Sequence, residues 1–163
     1  MNQTDFIWRD YQDADIPDLL TVIQQAFAQY QGQLQPPSSA EHKTVAIIRA
    51  ELQTANALVV ETAGQIVACV FYRRQDGAFY LDRLAVLPAY RQRGLALALL
   101  QVIETRGREQ GVAYLTLSVR LPLRELQAYY QKLGFVPYAL GTHEGFTQPT
   151  YVKMRKHLGV ATG

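Results

Sequence analysis

The spacing of hydrophobic and polar residues changes several times along the chain, and each change marks an element. Phe6-Ile7-Trp8-Arg9 is a short strand candidate. Leu19, Leu20, Ile23 and Phe27 then follow helical spacing, behind Asp15 as N-cap, Pro17 in the first turn and Asp18 near the positive helix end; Gly32 closes the segment. Gln33 to Pro37 form a proline-containing loop, and Ser38 with Glu41 reads as a capping box for a second helix with the stripe Val45, Ile48 and Leu52. The texture then turns β-branched. Ala57–Glu61 and Gln65–Arg73 flank an Ala63-Gly64 turn, and Ala78–Val86 follows Asp76-Gly77. A helix is expected from about Arg93 to Gln110, a strand over Val112–Val119, and a helix over Pro122–Leu133 ended by Gly134. Phe135–Leu140 and Thr150–Met154 read as the last strands. The order β-α-α-β-β-β-α-β-α-β-β predicts an α/β fold with a mixed central sheet flanked by helices, one domain over residues 1–163.

Composition narrows the chemistry. The 163 residues, 48% hydrophobic, suffice for one core. Cys69 is the only cysteine, which excludes disulfide frameworks and zinc sites built on cysteine pairs. His42, His143 and His157 show no H-x-x-x-H spacing, so no metal is expected. No apolar run approaches the roughly 18–20 residues that cross a bilayer, and MNQTDFIWRD is too polar for a signal peptide. The expectation is a cytoplasmic domain with no membrane partner, monomeric or homodimeric. A net charge of +2 gives little support to a nucleic-acid partner, and the basic part lacks aromatic-basic interleaving. The average hides an asymmetry: residues 1–61 hold eight acids and three bases, a net −5, while the remainder carries +7.

The strongest chemical signal is the junction from Leu81 to Ala96, where a strand feeds a short turn and the turn opens a long apolar helix. Gly94 and Ala96 lack bulk and let a ligand approach the backbone. The free amides of the helix start, with Arg91 and Arg93 beside them, make an anion cradle suited to a diphosphate. No acid occurs between Asp82 and Glu104. Neither a Walker loop nor G-x-G-x-x-G is present, which argues against nucleotide hydrolysis and dinucleotide binding. The competing reading of the same string is a solvated arginine-rich turn.

Arg91-x-x-Gly94-x-Ala96 resembles the acyl-CoA signature of the GNAT superfamily of N-acetyltransferases, preceded by Leu-Ala-Val-x-Pro, which is similar to that family's fourth strand. Tyr130-Gln131-Lys132-Leu133-Gly134-Phe135 resembles the family's Tyr-x-x-x-Gly-Phe. The element order matches from about Phe6 to Leu158. The resemblance implies transfer of an acetyl group from acetyl-CoA, as co-substrate, to a primary amine of a small molecule or peptide. The donor-binding set it implies is Leu84, Ala85, Val86, Arg91, Gln92, Arg93, Gly94, Leu95, Ala96 and Tyr130, with the backbone of Leu84 and Val86 pairing with the pantetheine arm. One departure stands out. Many members carry an asparagine shortly after the fifth strand, whereas the asparagines here are Asn2 and Asn56, and Arg120 and Arg124 occupy that region.

Acetyl transfer needs an amine that loses its proton, a held oxyanion and a thiolate that leaves. Cys69 lies inside the apolar run Ile66–Phe71, so direct transfer without an acyl-enzyme is expected. Tyr130 is the candidate partner of the leaving thiolate, with core packing on the stripe Leu123, Leu126, Tyr130 and Leu133 as the alternative; Tyr129 is one step around the helix. A phenol near ~10 protonates the thiolate of a thiol near ~8.5 uphill by roughly 2 kcal/mol, so a hydrogen bond to the thiolate is its expected role. For the base, regular alternation would put Tyr80, Asp82, Leu84 and Val86 on one face and make Asp82 a proton acceptor, unless it pairs with Arg83, Arg73 or Arg74. His143, between the last strands, is the other candidate, with Glu144 beside it. Arg120 or Arg124 could meet a phosphate or acidic acceptor group. The acidity of residues 1–61, expected to border the acceptor, instead predicts a cationic acceptor. The alternative function is an acyl-CoA sensor that keeps the cradle without a working base.

Overall fold

Charge pairs pin the first strand. In the computed structural model, which describes residues 5–159, Arg9 of β1 (Ile7–Asp10) reaches Asp15 at 2.7 Å and Glu61 at 3.3 Å. Asp15 does occupy the N-cap position of α1 (Ile16–Phe27), but its carboxylate accepts from Arg9 and from the Gln12 amide at 2.7 Å, not from the helix. The capping box expected at Ser38 also resolves differently. Ser38 caps a separate 3-10 turn, Ser39–His42, by accepting from Ala40 N, and α2 (Val45–Glu51) takes Thr44 as its cap, with Ile47 N at 3.1 Å from the hydroxyl. Two short polar caps in sequence split what periodicity alone reads as one helix.

The remaining elements are β2 (Asn56–Thr62), β3 (Gln65–Gln75), β4 (Ala78–Val86), α3 (Leu95–Glu109), β5 (Tyr114–Arg120), α4 (Arg124–Lys132), β6 (Val136–Gly141) and β7 (Tyr151–His157). The strands form one mixed seven-stranded sheet in the order β1-β2-β3-β4-β5-β7-β6, confirming the α/β class. Only β4 and β5 run parallel, and they pair only at Phe79–Leu115 and Tyr80–Thr116. The core is continuous through the sheet: Phe71, Leu58, Leu115 and Met154 on the strands join Leu19, Ile23, Leu99 and Ile103 of the helices, all less than 3% exposed. Each such side chain contributes about 1.5–3 kcal/mol by leaving water.

The regular alternation expected of β4 does not hold. Cys69 pairs with Ala85 but Phe71 pairs with Asp82, so one residue too many is accommodated around Arg83 and Leu84, and Arg83 takes φ +54°. Because opposed residues share a face, Tyr80 and Asp82 lie with Ala85, while Val86 lies with Leu81 on the other face. α3 covers the Leu81 face: Arg106 donates to Tyr72 Oη at 2.7 Å, and a Cβ on Gly107 would meet Leu158 at 2.7 Å. α2 lies on the Asp82 face, where Glu51, Phe71, Tyr80 and Asp82 line a cavity of about 110 Å³. Through Tyr80–Thr116 and the β5–β7 register, Thr116, Ser118 and Arg120 share that face with Arg155, Lys153 and Tyr151.

Candidate active site

Where β4 and β5 part beyond Tyr80 and Thr116, a cavity of about 1230 Å³ opens. One wall is the donor cradle read from the sequence. Leu84, Ala85, Val86, Arg91, Gln92, Gly94, Leu95, Ala96 and Tyr130 all line the cavity. Arg93 is not among the lining residues; its guanidinium lies over the Tyr90 ring, 5.1 Å from the centroid. Arg91 borders the cavity but turns back to α1, donating to Ala26 O at 2.9 Å and to Gln29 Oε1 at 3.3 Å.

The cradle itself is backbone. Gly94 caps α3 with φ +76°, and Gln92 has φ +63°. The first intrahelical bond runs from Ala98 N to Gly94 O at 3.0 Å, so the amides of Leu95, Ala96 and Leu97 have no helical acceptor. No carboxylate lies on this wall. A Cβ at Gly94 would meet nothing within 4 Å, which leaves open space beside a helix N-terminus. A diphosphate fits both the room and the charge.

Tyr130 stands at the floor. Its side chain is buried, packed edge-on to Phe135 at 5.6 Å, and its hydroxyl makes no hydrogen bond among the described residues. Burial first, then the neighbouring Tyr129 and Tyr30 phenols, pushes its pKa well above the ordinary tyrosine value, so this group donates and does not ionise. Tyr129 is exposed. Cys69 is fully buried beside the Arg83 carbonyl, and burial pushes its thiol up to about 12.

Both candidate bases border the same cavity. Asp82 is paired with Arg83 at 3.1 Å, the alternative raised by the sequence, and Arg83 also donates to the Ser39 hydroxyl while its Nε stays buried without a partner. His143 is held by Thr150, whose hydroxyl accepts from His143 N at 2.9 Å and touches ring Nδ1. Its ring stands edge-on to Tyr151 at 5.0 Å. Burial, and secondarily the charge of Arg120, holds His143 below the ordinary histidine value, so it is neutral near pH 7. Glu144 also lines the cavity, on its exposed rim. Arg120 lines it as well, whereas Arg124 and Asn56 do not.

The acidic border expected for the acceptor is not there. None of the eight acids of residues 1–61 lines this cavity. Asp15 and Glu61 are held by Arg9, Asp10 by Arg106, Asp13 by Arg49 and Glu51 by Lys43, so pairing elsewhere engages five of the eight. Lys43 is buried against α2, and that burial, with Arg83 nearby, lowers it to about 8. Sequence reasoning missed Lys153 and Ser118, which line the cavity across paired positions of β5 and β7. The alternation Thr116-x-Ser118-x-Arg120 was a usable signal for Ser118, but Lys153 needed the register. Among the described residues no helix is long and apolar enough to cross a membrane, and no group of three His, Cys, Asp or Glu side chains could hold a metal ion.

Comparison with known proteins converges on one family. The acetyltransferase (GNAT) family model matches residues 19–135. Probable N-acetyltransferase 14 of Danio rerio is 33% identical over 79 residues, covering 47% of this chain and 28% of that protein, so the chain matches under a third of its relative's length. The ribosomal-protein-S18-alanine N-acetyltransferase of Escherichia coli superposes with a TM-score of 0.77 at 20% identity, covering 96% of each chain. The PaiA N-acetyltransferase of Thermoplasma acidophilum, solved in complex with coenzyme A, gives 0.72 at 17% identity over 94% of this chain and 99% of the other. At these identities the two structures share the fold.

Proposed function

The chain belongs to the acetyltransferase (GNAT) family, and on that premise we propose that it is an acetyl-CoA-dependent N-acetyltransferase, a single domain over residues 1–163 that acts by direct transfer to an amine. The observation that carries this reading is the cleft between β4 and β5, with the free amides of Leu95, Ala96 and Leu97 at one end and the unbonded Tyr130 hydroxyl at its floor. Acetyl-CoA supplies the activated thioester when bound.

The remaining work falls to the chain. Amides from Arg91 to Ala96 hold the pyrophosphate, and the β4 edge at Leu84 and Val86, unpaired with β5, offers backbone groups to the pantetheine arm. The acceptor amine enters from the α2 face, where neutral His143, or Asp82 through water, takes its proton. Tyr130 donates a hydrogen bond to the departing sulfur. A buried Cys69 leaves no accessible thiol for an acyl-enzyme. Thiol release from acetyl-CoA across a panel of amino acids, peptides, polyamines and aminoglycosides tests the reading. Amine-dependent release is expected; acetyl-CoA binding with no release on any amine would establish the sensor alternative instead.

A further inference from the structure

The wall of the cavity facing the acceptor is basic. Arg73, Arg83, Arg120 and Lys153 line it against Asp82 and Glu144. Asp82 is engaged by Arg83, and Arg73 lies over the Tyr80 ring at 4.8 Å while donating to Gln75 at 3.2 Å. Arg120 and Lys153 form no ion pair with a carboxylate among the described residues. Ser118 opposes Lys153 and Arg120 opposes Tyr151, so the two cations sit diagonally on one face of the β5–β7 pair, about 7 Å apart at their bases. Arg120 Nη2 donates to Pro37 O of the α1–α2 loop at 3.1 Å. That bond fixes the guanidinium on the acceptor side and leaves most of its donors free. Burial lowers Arg120, and its charge bears on His143. A half-buried arginine and a lysine beside it, neither paired with a carboxylate among the described residues although Glu144 borders the same cavity, describe a site that lacks its anion.

We propose that Arg120 and Lys153 form an anion subsite, and that the acceptor is a small amine carrying a carboxylate or phosphate group a few bonds from its reacting nitrogen. This deepens the acetyl-transfer reading and rests on it. The guanidinium fork matches the paired oxygens of either group, and the lysine adds a point charge. Anchoring the anion there leaves the amine on the His143 and Asp82 side of the cleft, and orientation of that kind lowers the barrier. A polyamine would instead set a second cation against two unneutralised ones.

The test pairs α-amino acids with their own amides, adds O-phosphoethanolamine with ethanolamine, and includes spermidine. Thiol release should favour the anionic member of a pair by about a hundredfold in kcat/KM, and the pair that does so identifies carboxylate or phosphate as the group read. Arg120→Ala and Lys153→Met should each raise KM for the anionic amine at least tenfold while KM for acetyl-CoA holds, and Arg120→Lys should restore part of the loss. Thermal melting of each variant separates a folding defect, and calorimetry of the anionic amines against the wild-type protein with coenzyme A gives a readout independent of turnover. Equal use of acid and amide, preference for spermidine, or unaltered KM and affinity in the variants overturns the subsite. Calorimetric binding of the anion without thiol release on any amine would leave the subsite standing and defeat the acetyl-transfer reading.

Discussion

Tyr80 and Thr116 are the last residues at which β4 and β5 run side by side. The bulge at Arg83 begins three residues later, and a bulged strand bends and twists away from its neighbour. The cleft is therefore a consequence of one extra residue in β4.

Tyr130→Phe removes the hydroxyl and keeps the ring against Phe135. Turnover should fall by roughly a hundredfold, the scale of one lost hydrogen-bond donor to a developing anion, with little change in KM for acetyl-CoA or in melting temperature. An unchanged kcat would return Tyr130 to a packing role.

Gly94→Ala places a Cβ on a residue at φ +76°. The space around it is open, so the cost is conformational, about 1–2 kcal/mol. The first turn of α3 should distort, raising KM for acetyl-CoA more than it lowers kcat. Steady-state kinetics with varied donor check this.

His143 carries its proton only below the ordinary histidine range. As general base it should give kcat/KM an acid limb that rises with pH and has its midpoint below the ordinary histidine value. His143→Gln should flatten the acid limb as well as lower the rate. The stability sign runs the same way. Below the unfolded-state pKa the unfolded chain binds the proton first, so wild-type stability falls with acid and the variant's falls less. Pairing the rate profile with melts at several pH values separates the two effects.

Cys69, pushed up to about 12 by burial, should resist iodoacetamide in the native protein at pH 8 and react once unfolded. Intact mass after incubation with acetyl-CoA alone should show no added acetyl group. A stoichiometric acetyl adduct at Cys69 would replace direct transfer with an acyl-enzyme route.

Local sequence patterns predict the α/β order, a helix start near Arg93 and the two motifs around Arg91 and Tyr130, because helix caps, glycine positions and apolar periodicity are local properties. Residue type also supplied His143 and Asp82 as candidates. Long-range pairing sets the rest. The bulge at Arg83 depends on how β4 registers with β3, and it reassigns the face of Val86. Lys153 joins Arg120 only through the antiparallel pairing of β5 with β7. The sign of the acceptor wall shows the reason most plainly. None of the eight acids of residues 1–61 lines the cavity, and five of them are paired with Arg9, Arg49, Lys43 and Arg106. Charge counted along a chain is additive, whereas the field in a cleft depends on which charges remain unpaired within a Debye length of it.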